Sequence, residues 1–134
     1  MFDEKVKQIQ QLYDGFVVLD AMHLNGKLTS GENIAHFGGL AIAYDAFKMT
    51  QQGQSASKTD GFTSDQRFFP AFAQLWRSKY TDAIMRMLVN TDTHSTPAWR
   101  VIGPLMNFEP FYKAFNVQPG SKMYLQAKDI IKIW

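Results

Sequence analysis

Apolar residues recur at helical spacing along most of the chain, and polar breaks divide them into short segments. Val6, Ile9, Leu12 and Tyr13 share one face of a helix expected over residues 3–13, capped by Asp3 and ended by Asp14-Gly15. Residues 16–19 are an apolar run too brief to assign, and Leu24-Asn25-Gly26 reads as a turn. Thr29-Ser30-Gly31-Glu32 has the pattern of a capping box, a hydroxyl at the N-cap and Glu at the third helical position. The helix it predicts carries Ile34, Phe37, Leu40, Ala41, Tyr44 and Phe47 and ends near Lys48. Gly38-Gly39 inside that helix costs about 1 kcal/mol per glycine relative to Ala. Such a bare patch suggests another backbone packing close.

Residues 50–61 are polar and aperiodic, an exposed loop rather than a linker between domains. A second box, Thr63-Ser64-Asp65-Gln66, starts a helix expected to reach about Lys79, with Pro70 either kinking it or marking its true first turn. A further helix is expected over about 82–90, capped by Thr81, and Thr96-Pro97 opens a short one that carries Arg100. Another spans about 109–115, residues 117–120 turn, and the tail runs extended to Trp134. The fold class is all-α, and residues 1–134 read as a single segment.

Composition narrows the function classes. Of 134 residues 46% are hydrophobic, and the aromatic set of 11 Phe, 5 Tyr and 3 Trp is large for so short a chain. Either it packs a dense core or part of it faces something else. Fourteen Lys and Arg against 12 Asp and Glu give a net charge of +2, no broad electrostatic footprint for nucleic acid or an anionic membrane. With no cysteine there is no disulfide framework, zinc finger or thiol nucleophile, and a reducing cytoplasm is the expected location. No apolar run approaches the roughly 18 residues of a membrane span. The amino end, charged from Asp3, carries no apolar signal core.

Candidate chemistry is sparse. There is no phosphate-binding glycine loop, no GxGxxG, no HExxH and no GxSxG. Glu32 and His36 sit four apart and project from one helix face. They are either a cap and its hydrogen-bonding neighbour, or a carboxylate ligand beside a polar partner. His94 lies in a polar turn leading to Arg100. That pair is either turn chemistry beside a solvated arginine, or an imidazole and a guanidinium converging on a carbonyl and its oxyanion. Trp76 and most phenylalanines read most simply as core.

Several boxes in register go further. Residues 31–40, Gly-Glu-Asn-Ile-Ala-His-Phe-Gly-Gly-Leu, resemble the GENIAD-x-GGL signature of the neprilysin / endothelin-converting-enzyme family of zinc metallopeptidases, which includes bacterial oligopeptidase O. His23-Leu24-Asn25-Gly26 precedes that box as in the family. Phe72-Ala73-Gln74-Leu75-Trp76, Thr91-Asp92-Thr93-His94-Ser95, the run from Trp99 to Leu105 and the terminal Lys132-Ile133-Trp134 follow at family spacing. The resemblance covers nearly the whole chain. It implies an irregular helical assembly, the C-terminal part of a thermolysin-like (gluzincin) catalytic domain.

The resemblance also implies roles. Glu32 matches the third protein ligand of the catalytic zinc, His94 the histidine that hydrogen-bonds the oxyanion, and Arg100 the arginine that holds the substrate carbonyl. Leu75 and Trp76 match the lining of a pocket for bulky apolar side chains, and the implied substrates are peptides and short oligopeptides. Two departures matter. The HExxH helix, source of two zinc ligands and the general base, belongs upstream in the family and is absent from these residues. His36 stands where the family has an Asp that orients a zinc-ligating histidine. The family cysteine near the final Trp is Ile131 here, as expected of a bacterial, cytoplasmic branch.

The expectation is therefore the C-terminal portion of a longer zinc metalloendopeptidase that binds no zinc and has no peptidase activity without its missing N-terminal part. The alternative is a stand-alone helical protein derived from that family, without catalysis, binding peptides through His94, Arg100 and Trp76. Apolar surface left by a missing partner should make the isolated chain a homodimer or larger species.

Overall fold

The computed structural model describes residues 2–133, so Trp134, the last residue of the terminal box, lies outside the described residues. The chain opens with α1 (Phe2–Asp14), whose inward face buries Ile9 and Tyr13. The unassigned apolar run then becomes β1 (Val17–Leu19), which pairs antiparallel with β2 (Met22–His23), Val17 opposite His23 and Leu19 opposite Met22. Asp20 makes the tight reversal at φ 50°, and its carboxylate pairs with Arg86 at 2.6 Å. This small hairpin and an isolated antiparallel bridge between Thr59 and Phe62 are the β features of an otherwise helical fold among the described residues.

The long helix α2 (Gly26–Lys48) starts earlier than its capping-box pattern predicts. Asn25 is the N-cap, its side chain accepting the Leu28 N–H at 2.9 Å. Thr29 and Glu32 thus lie inside the helix, where the Thr29 hydroxyl donates back to the Asn25 carbonyl at 3.0 Å. Gly26 is required at the first turn, because a Cβ there would run into the Gln10 carbonyl of α1. Of the Gly38-Gly39 pair, Gly38 is buried, whereas Gly39 is exposed and a Cβ on it would meet nothing.

Within the polar stretch, α3 (Gln51–Gln54) forms one short turn because the Thr50 hydroxyl accepts the Gly53 N–H at 3.0 Å. Next comes α4 (Ser64–Leu75), with the expected reciprocal box: Thr63 Oγ1 accepts the Gln66 N–H and Gln66 Oε1 accepts the Thr63 N–H. It ends at Trp76 rather than Lys79, and Pro70 lies within it. The remaining helices are α5 (Asp82–Thr91), capped by Thr81, α6 (Pro97–Met106), opened by Thr96-Pro97, and α7 (Glu109–Phe115). No helix among the described residues is long and apolar enough to cross a membrane.

Two apolar clusters flank α2. Ile9, Tyr13, Phe16, Leu24, Phe37, Val89 and Ile131 form one, with Trp99 stacked on Phe16 at 3.9 Å between ring centroids. Leu40, Tyr44, Phe69 and Leu105 form the other, where Tyr44 and Phe69 meet Phe68, Phe108 and Phe111. Much of the aromatic excess is thereby absorbed in packing. Helix α6 joins the clusters, because Gly103 leaves room for the buried Tyr13 ring. The tail is pinned where Asn107 Oδ1 accepts the Ile131 N–H at 2.8 Å, and Lys5 of α1 donates to the Ile133 carbonyl at 3.3 Å.

Candidate functional site

Helix α2 carries Glu32 and His36 one turn apart on one face. The bend at residues 92–96, between α5 and α6, carries Asp92 and His94, while α6 carries Arg100 and Trp76 closes α4. Glu32 and His36 each take a partner from another element.

His94 stands between two carboxylates. Its Nδ1 lies 2.8 Å from Asp92 Oδ1, which also accepts the His94 backbone N–H at 2.9 Å. Those contacts hold the Asp92 carboxyl below its ordinary pKa, the backbone N–H contributing most and the ring next. With Nδ1 facing this acceptor, Nε2 is left toward Glu32 Oε2, 3.2 Å away. The His94 and Glu32 side chains are 39% and 44% exposed, open to a ligand from solvent.

His36 is engaged differently. The Nε–H of Arg100 donates to His36 Nε2 at 2.8 Å, and the guanidinium carbon lies 3.9 Å from the Trp76 ring centroid. The imidazole meets that same indole edge-on at 4.8 Å. Burial first, then the charge of Arg100, pushes the His36 pKa down to about 4, against a smaller upward pull from Glu32. His36 is therefore a neutral acceptor. Burial also lowers the Arg100 pKa while Glu32 and Asp92 hold it up, and the guanidinium stays charged.

Trp76 lines an open groove of about 380 Å³ with Ala73, Gln74, Arg77, Pro97 and Val101, and its Nε1–H is buried without a hydrogen-bond partner among the described residues. Leu75 is 76% exposed and takes no part in that wall. The structure thus gathers Glu32, His36, His94, Arg100 and Trp76, and leaves Leu75 at the margin.

Three buried polar residues, Thr29, read from the sequence only as a helix cap, and Asn33 and Ser95, given no role there, tie the bend to α2. Ser95 Oγ donates to Asn33 Oδ1 at 2.7 Å, and Asn33 Nδ2 donates to Thr29 Oγ1 at 2.9 Å. Their signal is weak because Asn33 finds Ser95 only across 62 residues of chain. Asp92 was also passed over, although an Asp two residues before a turn histidine is a recognisable local pattern.

Among the described residues no group of three His, Asp or Glu side chains is arranged to hold a metal ion. Asp92, His94 and Glu32 are strung in line with the imidazole in the middle, so they do not converge on one point. The residues present do not by themselves fit a zinc site.

Comparison with known proteins gives a consistent picture. The sequence profile of Peptidase family M13 matches residues 1–131. Neprilysin-3 of Drosophila melanogaster is 40% identical over 126 residues, 91% of this chain and 16% of that protein. The neutral endopeptidase of Lactococcus lactis is 35% identical over 133 residues, 99% of this chain and 20% of that protein. The crystal structure of the Mycobacterium tuberculosis zinc metalloprotease Zmp1 in complex with inhibitor superposes with a TM-score of 0.93 at 32% identity, covering 99% of this chain and 21% of that one. PepO from Lactobacillus rhamnosis gives a TM-score of 0.83 at 31% identity, covering 99% of this chain and 20% of that one. The chain spans about a fifth of the length of such relatives.

Proposed function

Because the chain belongs to peptidase family M13, we propose that it is the C-terminal portion of a zinc-dependent metalloendopeptidase acting on peptides and oligopeptides, and that it is inactive on its own. In the complete enzyme Glu32 supplies one of three zinc ligands, His94 hydrogen-bonds the oxyanion, and Arg100 holds a substrate carbonyl. Trp76 lines the pocket for a bulky apolar side chain, with Leu75 at its margin. The observation that carries this reading is the meeting of Glu32 and His94 at 3.2 Å, beside a guanidinium fixed by both His36 and Trp76. Bound zinc would polarise a carbonyl and activate water. Two further ligands and a general base must come from outside these residues.

The test has two arms. The chain alone, loaded with zinc, is expected to leave an internally quenched peptide uncut, and turnover that a chelator abolishes would overturn its inactivity. A chimera in which this chain replaces the matching segment of the Lactococcus lactis neutral endopeptidase, carrying His36→Asp, is expected to cut the peptide and to lose activity on Glu32→Gln. An inactive but folded chimera would overturn the proposed roles.

The apolar groove beside the paired Arg100 and Trp76 favours a second reading, peptide binding without cleavage. Quenching of Trp76 fluorescence by peptides that remain intact would support it. We also propose that the isolated chain self-associates, a reading supported by Ile42 and Met49, 68% and 78% exposed on or just after α2. A single monomeric species by sedimentation velocity at high concentration would overturn that.

A further inference from the structure

We infer that Asn33 is a positioning residue: through Ser95 it holds the 92–96 bend so that the His94 ring lies between Asp92 and Glu32. The inference rests on the reading of Glu32 and His94 as site residues and adds what sets their distance. The bend belongs to no helix or strand, and His94 is half-exposed, so its ring has rotamer freedom to lose. The bond from Ser95 Oγ to Asn33 Oδ1, 2.7 Å long and buried, joins the neighbours of the two site residues. Ser95 follows His94 in the chain, and Asn33 follows Glu32 on a rigid helix. Clamping one pair therefore fixes the register of the other.

The amide orientation follows from the network. The single hydroxyl proton of Thr29 goes to the Asn25 carbonyl at 3.0 Å, so Thr29 accepts from Asn33. The Asn33 NH2 must then face Thr29, which turns Oδ1 toward Ser95. Thr29, Asn33 and Ser95 are 1%, 0% and 3% exposed, so water does not compete for these bonds. The chain of bonds runs from the N-cap of α2 to the bend. No charged group is needed to hold it.

The experiment uses the isotopically labelled 134-residue chain in solution, without metal or substrate. The wild type is expected to show a nuclear Overhauser cross-peak between the His94 ring protons and the Glu32 side chain. Ser95→Ala is expected to lose that cross-peak while the amide shifts of α4 and α7 stay in place, which a general packing defect would not do. A folded Ser95→Ala chain that keeps the cross-peak at wild-type intensity would overturn the inference. If Ser95→Ala does not fold, hydroxyl exchange of the wild type decides. The buried Ser95 hydroxyl proton is expected to exchange slowly enough to be seen, with a cross-peak to the Asn33 side-chain amide, and a hydroxyl averaged into the water signal would overturn the positioning role. Neither readout depends on catalysis, so failure here and failure of the chimera are distinguishable.

Discussion

Arg100 donates its Nε–H to Nε2 of His36 across 2.8 Å, which places the single proton of that neutral imidazole on Nδ1. His36 then offers an incoming partner only a donor. A zinc-bound histidine also turns an N–H outward, and two donors do not pair. A carboxylate at the same position has lone pairs for Arg100 and for a second donor together.

The first prediction follows from that count. In the chimera, His36→Asp should tighten zinc by about 10–100-fold, the usual size of such supporting interactions. Competition against a chromophoric chelator measures it, and equal affinity for the two versions would refute the account.

Acid should weaken the fold through His36. Its ordinary pKa of 6.5 falls to about 4 in the folded chain, through burial and then the charge of Arg100, with His94 adding to the fall and Glu32 opposing it. Between those values the unfolded chain binds the proton and the folded chain does not, so stability rises with pH across the window and drops on acidification from 6.5 toward 4. Asp92 acts below its ordinary 3.8, outside this range. His36→Gln keeps an acceptor for Arg100 without a titrating group. Its urea midpoint should change less between pH 6.5 and pH 4.5 than that of the wild type, and an equal change would remove His36 as the cause.

Two glycines should respond in opposite directions to the same substitution. Gly39 is exposed in the middle of α2 with open space at its Cβ position, so Gly39→Ala should stabilise the isolated chain by about 1 kcal/mol. Gly103 faces the fully buried Tyr13 ring, which has no room to retreat, and Gly103→Ala should cost about 1–3 kcal/mol. Denaturant titration of both variants checks the signs, and a stabilised Gly103→Ala would contradict the packing described.

The start of α4 offers a graded test. Thr63→Ala removes one cap bond and should cost about 1 kcal/mol. Gln66→Ala should cost more, because Gln66 also donates to the Ala114 carbonyl of α7 at 2.9 Å and so ties two helices. Equal losses in thermal melts would mean that this second bond contributes nothing net.

Local chemistry made much of the fold readable. Thr63 with Gln66, Thr81, and Thr96 before Pro97 each mark a helix start that the structure keeps. The same logic misplaced the start of α2, where Thr29 and Glu32 imitate a capping box one turn inside a helix that Asn25 begins. The β-hairpin escaped because its strands are three and two residues long, too short for an alternating pattern to register. At the site, the order and spacing of the sequence boxes point to Glu32, His94 and Arg100. The bonds that arrange them join residues more than 60 positions apart, His36 to Arg100 and Asn33 to Ser95, and no local pattern announces a partner at that distance.

The bond from Lys5 to the Ile133 carbonyl has an engineering consequence. It brings the first helix and the end of the tail within reach of a short peptide bridge, so the chain is a candidate for circular permutation. New ends opened in the exposed stretch at 56–61 would cut no helix and would place α2 after the 92–96 bend and α6 in the permuted chain.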